Sequence, residues 1–227
     1  MPQSSLTAWL DRGRLPVSLP EKCSVVSSAP QAAPPPQFDL RHCVKDDLPW
    51  LKRLNGLLLP IPYPQSFYSE IINDQVANSI TLVAVWHDDA GTGDRKGGKL
   101  VGAMRCRLFP DPLVPSSRGG PVLYISTLAV YAPYRAHGIA TMMLNALAKE
   151  AVEKYAITGI CAHVWEANLD GLEWYRKRGF QQVSQDPAYY RQLNPRGAII
   201  MQREAGVLDA IGLTNTPLIE PAQSRRT

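Results

Sequence analysis

From Phe38 onward the apolar positions switch between two periods, and the switches divide the chain into strands and helices. Residues 38–43, Phe38-Asp-Leu-Arg-His-Cys43, alternate as a first strand. Asp46 or Asp47 then caps a helix through Leu48, Leu51, Leu54 and Leu58. The run Leu59-Pro-Ile-Pro-Tyr63-Pro64 forces an extended loop, because a residue before proline is pushed out of the helical region. Ser66 is expected to cap a second helix reaching about Asn73, and 79–86 with 99–109 read as a hairpin around a Gly-rich polar loop. Residues 111–120, with three nearby prolines and a Gly pair, predict a second exposed loop. Residues 122–130 predict a buried strand, ended by Pro133. A helix follows whose apolar positions are Met142, Met143, Leu144, Leu147, Ala148 and Ala151. Residues 158–165 are apolar on both faces, as a central strand of a parallel pair is. Asn168 opens a helix that Gly179 ends, and 180–183, 189–193 and 198–202 are read as further strands.

Composition bounds this pattern. Of the 227 residues, 45% are hydrophobic, enough for one full core, and many of the 20 prolines gather toward the ends. We divide the chain into an N-terminal tail 1–37, a domain 38–203 and a C-terminal tail 204–227, with 207–213 apolar enough to dock. The tail motif Gln3-Ser-Ser-Leu6-Thr-Ala-Trp9-Leu10 places Leu6, Trp9 and Leu10 on one face of a short helix. It resembles a sliding-clamp peptide with Leu10 in place of the second aromatic; the alternative is a helix that docks on this chain's own body or on a partner. The net charge of +4 comes without a long Lys/Arg run, so no nucleic acid partner is expected. Cys23, Cys43, Cys106 and Cys161 have no metal-ligand spacing and the four histidines are scattered, so no metal is expected. Reduced thiols, no signal-peptide run and no long apolar stretch lead us to expect a soluble intracellular protein with no membrane partner.

The centre of the chain is the strand–loop–helix from Val122 to Asn145. The first amides of a helix have no intrahelical partner and its dipole favours negative charge there. Gly138 and Ala140 keep the approach free of bulk and Arg135 offers a charge-assisted donor, so this turn suits a diphosphate. Taken by themselves, these features fit an ordinary helix start equally well.

Arg135-x-x-Gly138-x-Ala140 between a strand and a helix resembles the acetyl-CoA loop of the GCN5-related N-acetyltransferase (GNAT) family. Leu123-Tyr-Ile-Ser-Thr-Leu128, Ala132-Pro-Tyr-Arg135, Met143-Leu-Asn145, Lys52-Arg-Leu-Asn55, Leu59-Pro-Ile-Pro-Tyr63, Phe67-Tyr68, His163-Val164, Tyr175-Arg-Lys-Arg-Gly-Phe180 and Tyr189-Tyr190 extend the likeness to the NatE branch of N-terminal acetyltransferases. It runs from about Phe38 to Arg203. The resemblance implies an α/β GNAT fold: a mixed seven-stranded sheet with strands 4 and 5 splayed and about four helices.

It also implies roles. Acetyl-CoA as cosubstrate would lie against Leu128, Val130, Arg135, Ala136, His137, Gly138, Ile139, Ala140, Thr141, Asn168 and Tyr175, with Tyr175 protonating the leaving thiolate. Leu59, Pro60, Ile61, Tyr63, Ser126, Tyr189 and Tyr190 would hold the acceptor; Leu59 and Ser126 replace the family's usual Phe and Met. Tyr124 and His163 would deprotonate the amine, Tyr124 orienting a water and His163, near its reference pKa of about 6.5, taking the proton. A histidine alone on a strand is otherwise read as a core residue. The activity implied is acetylation of the α-amine of protein N-termini, Met before an apolar residue, beside the NatA scaffold and its catalytic subunit near the ribosome, in cytoplasm and also nucleus. Lysine acetylation, or an interaction subunit with weak activity, remain the alternatives.

Overall fold

The structure is a computed structural model and describes residues 38–87, 98–110 and 119–212. The Gln3 to Leu10 motif, Cys23 and most of both predicted polar loops lie outside the described residues. Seven strands form one sheet in the order β1-β2-β3-β4-β5-β7-β6, comprising β1 (Phe38–His42), β2 (Thr81–Trp86), β3 (Lys99–Phe109), β4 (Val122–Val130), β5 (Gly159–Trp165), β6 (Gln181–Asp186) and β7 (Ala198–Glu204). All neighbours are antiparallel except β4 and β5. The helices are α1 (Leu48–Leu58), α2 (Gln65–Asn73), α3 (Gln75–Ser79), α4 (Ile139–Tyr155), α5 (Leu169–Arg176) and α6 (Val207–Ala210). The expected four are α1, α2, α4 and α5; α3 and α6 are short turns added to them.

Period-two alternation explains the two layers. Leu82 and Ala84 face one core with Met143, Leu144, Leu147 and Ala151 of α4, while Val83 and Val85 face the other with Leu51, Leu54, Phe67 and Ile71 of α1 and α2. Each face of the sheet is thereby covered, and Cys43, Cys106 and Cys161 are buried free thiols.

Several local expectations are corrected. Ser66 is not a cap: α2 begins at Gln65 with Pro64 before it, because the fixed φ of proline already suits a helix start. Ser79 closes α3 rather than opening β2, and Asp74 caps that turn by accepting the Ala77 N–H at 2.9 Å. Asp47 precedes α1, but its carboxylate is taken up by the Val44 N–H and by Arg41, not by the helix. Residues 189–193 form no strand; Pro187 and Pro195 bracket them, and proline cannot donate to a ladder. Residues 204–210 are part of the fold rather than tail: Arg203 and Asp209 pair at 2.6 Å and Asp209 is buried, which anchors α6.

The feature that makes a site is where the sheet splits. β4 and β5 pair only over Val122–Tyr124 and Gly159–Cys161. Across from β3, Arg105 pairs with Thr127 and Cys106 with Ile125, so Ser126 is an extra residue, a bulge. A bulge bends its strand and re-aims its side chains. Beyond it β4 leaves β5, and a cleft opens between them.

Candidate active site

Six aromatic side chains from five parts of the fold gather where β4 and β5 part. The Tyr124 hydroxyl lies 2.8 Å from that of Tyr189, and the Tyr189 ring stacks on His163 with centroids 4.1 Å apart. Tyr124 meets the His163 ring edge-on at 5.7 Å and Phe109 at 5.3 Å. Tyr190 donates from its hydroxyl to the His163 carbonyl at 3.2 Å, and Tyr63 donates to the Ser126 carbonyl at 3.3 Å across the cleft. Period two on β5 turns His163 one way and buried Ala162 and Val164 the other. Tyr189 thus joins Tyr124 and His163 in one three-way contact, a placement that sequence spacing could not reveal.

Burial sets the charges here. It pushes His163 down from 6.5 to about 4, outweighing the upward pull of the Asp186 carboxylate. The expectation of an imidazole near its reference value is thus corrected: at neutral pH His163 is a neutral, weak base. Burial likewise holds Tyr124, Tyr189 and Tyr190 above the ordinary phenol value, so all three keep their protons. A free peptide amine has a pKa of about 8, so a good fraction is already neutral at physiological pH. The ammonium formed on attack at a carbonyl is far more acidic than the free one, and a weak neutral base suffices to receive its proton.

The shift also predicts a stability effect. The folded pKa lies below the unfolded one, so between pH 4 and 6.5 the unfolded state binds more protons and stability rises with pH. His163 contributes fully above about 6.5, and on the order of 3 kcal/mol is lost by about pH 4. Denaturant unfolding of wild type and His163→Gln at pH 7 and pH 4.5 should show a steeper loss in wild type. Parallel losses would remove the buried-neutral assignment.

At the other end of the cleft, the turn before α4 presents an anion cradle. Gly138 is the N-cap at φ 80°, Ala136 is also left-handed at φ 65°, and a Cβ at Gly138 would meet nothing within 4 Å. Alternating backbone hands of this kind turn successive N–H groups toward one concavity. Met142 N–H is satisfied by the Gly138 carbonyl, which leaves the amides of Ile139, Ala140 and Thr141 at the open mouth of the helix. Arg135 Nε donates to the Val130 carbonyl at 3.0 Å, and His137 Nδ1 lies 2.9 Å from the Arg135 carbonyl with its ring edge-on to Trp86. Thr141 Oγ1 accepts from Nε and Nη2 of Arg178, whose guanidinium lies 4.0 Å over Trp174. Sequence reading gives Arg178 no role of its own, although the block Tyr175 to Phe180 that contains it carries part of the family resemblance.

The remaining residues divide. Leu128 and Val130 lie on the part of β4 that β5 does not pair. Asn168 caps α5, its Oδ1 accepting the Gly171 N–H at 3.0 Å. Tyr175 is buried in the core against Trp174 and Phe180, its phenol held protonated by burial beside Cys106 and Cys161. Ile61 and Tyr63 line a cavity of ≈ 270 Å³ with Lys52, Asn55 and Tyr68. Leu59 packs into the α1–α2 core and Pro60 is exposed, so of the predicted wall it is Tyr63 that reaches the aromatic cluster. Among the described residues no group of His, Cys, Asp or Glu could hold a metal ion, and no helix is long and apolar enough to cross a membrane.

With this geometry in view, comparison identifies the family. The acetyltransferase (GNAT) family pattern matches residues 51–180, more than half of the chain. The chain belongs to that family. Among curated GNAT relatives it is 29% identical to N-alpha-acetyltransferase 50 of Danio rerio over 74% of this chain and 88% of that one. It is also 29% identical to the probable N-acetyltransferase san of Drosophila melanogaster, over 73% of this chain and 80% of the relative. The solved structure of Arabidopsis thaliana Naa50 with the bisubstrate analogue CoA-Ac-MVNAL superposes with a TM-score of 0.59 at 29% identity, covering 74% of this chain and 98% of that one. This GNAT chain is accordingly an acetyltransferase, similar to N-alpha-acetyltransferases of the NatE type.

Proposed function

We propose that this chain transfers the acetyl group of acetyl-CoA to the free α-amine of protein N-termini that begin with Met followed by an apolar residue. The observation that carries the reading is the meeting of Tyr63, Tyr124, His163, Tyr189 and Tyr190 at the β4–β5 split. The cluster is built of aromatic rings whose hydroxyls bond one another and the backbone of β4 and β5, an enclosure that suits a chain terminus better than a lysine on a continuous backbone. The similar Arabidopsis enzyme was solved with an analogue joining coenzyme A to a peptide starting MVNAL, which supports both halves of the reading.

The chain fits acetyl-CoA at two points: the open cradle at Gly138 for the diphosphate, and the unpaired edge of β4 at Leu128 and Val130 for the pantetheine arm, which extended chains join as an added strand. Arg135, Ala136, His137, Ile139, Ala140 and Thr141 would surround the phosphates, with Asn168 and Tyr175 toward the thiol. Bound there, acetyl-CoA supplies the activated thioester carbonyl. Tyr124 and Tyr189 orient a water or the incoming amine through their paired hydroxyls, and His163 receives the proton released as the amide forms. We further assign this enzyme to the cytoplasm and nucleus, in association with the NatA scaffold.

Initial rates with the purified chain test the reading. A Met-Leu-starting peptide should be acetylated, and the same peptide blocked at its N-terminus but carrying an internal lysine should not. Equal transfer to both would replace the α-amine assignment with a lysine acetyltransferase.

A further inference from the structure

Arg105 is a cation in the centre of the sheet. It stands on β3 directly beside the β4 bulge, opposite Thr127, and is 1% exposed. A buried guanidinium costs several kcal/mol of desolvation unless its partners compensate. Its contacts all lead to one element. Nη1 donates to the Phe67 carbonyl at 2.5 Å, Nη2 to Glu70 Oε2 at 2.6 Å, and the guanidinium lies 3.9 Å over the Phe67 ring. The same Glu70 oxygen accepts from Arg107 at 2.7 Å.

These contacts close a circuit. The Phe67 ring packs on Tyr63 at 4.3 Å, and the Tyr63 hydroxyl donates to the carbonyl of Ser126, the bulge residue next to Arg105's own strand partner. Strand β3, helix α2, the loop before it and strand β4 are thereby tied in a ring around one buried charge. The loop in that ring carries Ile61 and Tyr63, the wall on the acceptor side of the cleft. An apolar side chain at 105 would fill the same volume, but it would leave the Phe67 carbonyl without its donor and Glu70 held by Arg107 alone, and so α2 freer to shift along the sheet.

We propose that Arg105 is a positioning residue for the acceptor: it holds α2 and Tyr63 against the Ser126 bulge and so sets the width of the acceptor cleft. It touches neither the reacting atoms nor the coenzyme cradle. This inference rests on the reading that the acceptor's N-terminus binds between Tyr63 and the aromatic cluster. Loss of Arg105 then weakens binding of the acceptor alike in ground and transition states, which raises KM and spares kcat.

Arg105→Met separates this role from simple core packing. Arg105→Met removes one partner of the pair, but Glu70 is part-exposed and keeps Arg107, so the variant should fold with a lowered melting temperature, and its melting curve is the control for folding. With saturating acetyl-CoA, the KM for a Met-Leu-starting peptide should rise about tenfold, while kcat and the Kd for coenzyme A stay within about twofold. Arg105→Lys keeps a cation but loses the planar fork that reaches Phe67 and Glu70 from two separate nitrogens, and should recover part of the loss. If Arg105→Met does not fold, Glu70→Gln, altered at the solvent-facing end of the same contact, should raise acceptor KM about threefold in the same pattern. An unchanged acceptor KM in the folded variant, or a parallel rise in coenzyme Kd, would overturn the inference. Failure of the wild-type chain to acetylate the peptide at all would instead sink the acceptor reading, and this inference with it.

Discussion

Replacing His163 by alanine should slow acetyl transfer about 100-fold at neutral pH while the affinity for coenzyme A stays within about twofold. The imidazole is the one side chain in the aromatic cluster with a free-base lone pair at that pH, since burial keeps it neutral and keeps Tyr124, Tyr189 and Tyr190 protonated. Its low proton affinity limits what it can do. With a pKa of about 4 it cannot strip a proton from a resting ammonium, so the enzyme must take up the neutral amine from solution. Its work comes after attack, when the nitrogen has become acidic. The coenzyme cradle belongs to the turn before α4 rather than to β5, so binding at Gly138 should not register the change. Single-turnover rates and calorimetric binding of coenzyme A, with the melting curve as control for folding, decide the matter. A kcat within about threefold of wild type would remove His163 from the reaction, and loss of folding would return it to the core.

Gly138→Val should lower acetyl-CoA affinity by about ten- to a hundredfold and leave acceptor KM at saturating acetyl-CoA almost unchanged. Two effects combine. A β-branched residue at φ 80° is strained by roughly 1–3 kcal/mol, which loosens the turn that aims the first amides of α4. The new side chain also projects into open space at the mouth of the helix, since nothing beyond the adjoining residues lies within 4 Å of the site a Cβ would take. A diphosphate and a valine cannot share that space. Gly138→Ala carries a similar backbone penalty with less bulk, so a much smaller loss in the alanine variant would identify obstruction as the main effect. Coenzyme affinity within about twofold of wild type in Gly138→Val would show that the diphosphate binds elsewhere.

Much of this molecule could be read locally. The bounds of β3, 99–109, and of β4, 122–130, came directly from the apolar pattern, because a strand buried on both faces needs apolar side chains at nearly every position. Asn168 and Gly179 were legible for similar reasons: a side-chain oxygen satisfies an orphan N–H, and φ 79° strongly favours glycine. The misreadings share a cause. Residues 189–193 carry strand-like tyrosines, yet their rings are claimed by His163 and Tyr124 while flanking prolines deny them a ladder. No role could be read for Arg178 and Arg105, because nothing nearby in sequence signals the Thr141 hydroxyl or the Phe67 carbonyl they bind.

The sequence by itself determined the alternation of strands and helices and the glycine at the mouth of α4, since each follows from neighbours within a few positions; the candidate site residues came from the family resemblance. Tertiary structure alone decided that Tyr189 joins Tyr124 and His163, that His163 falls to about 4, and that Arg105 is enclosed beneath α2. Solvation and hydrogen bonding at a residue depend on whatever the fold brings against it, and those partners lie many tens of positions away along the chain.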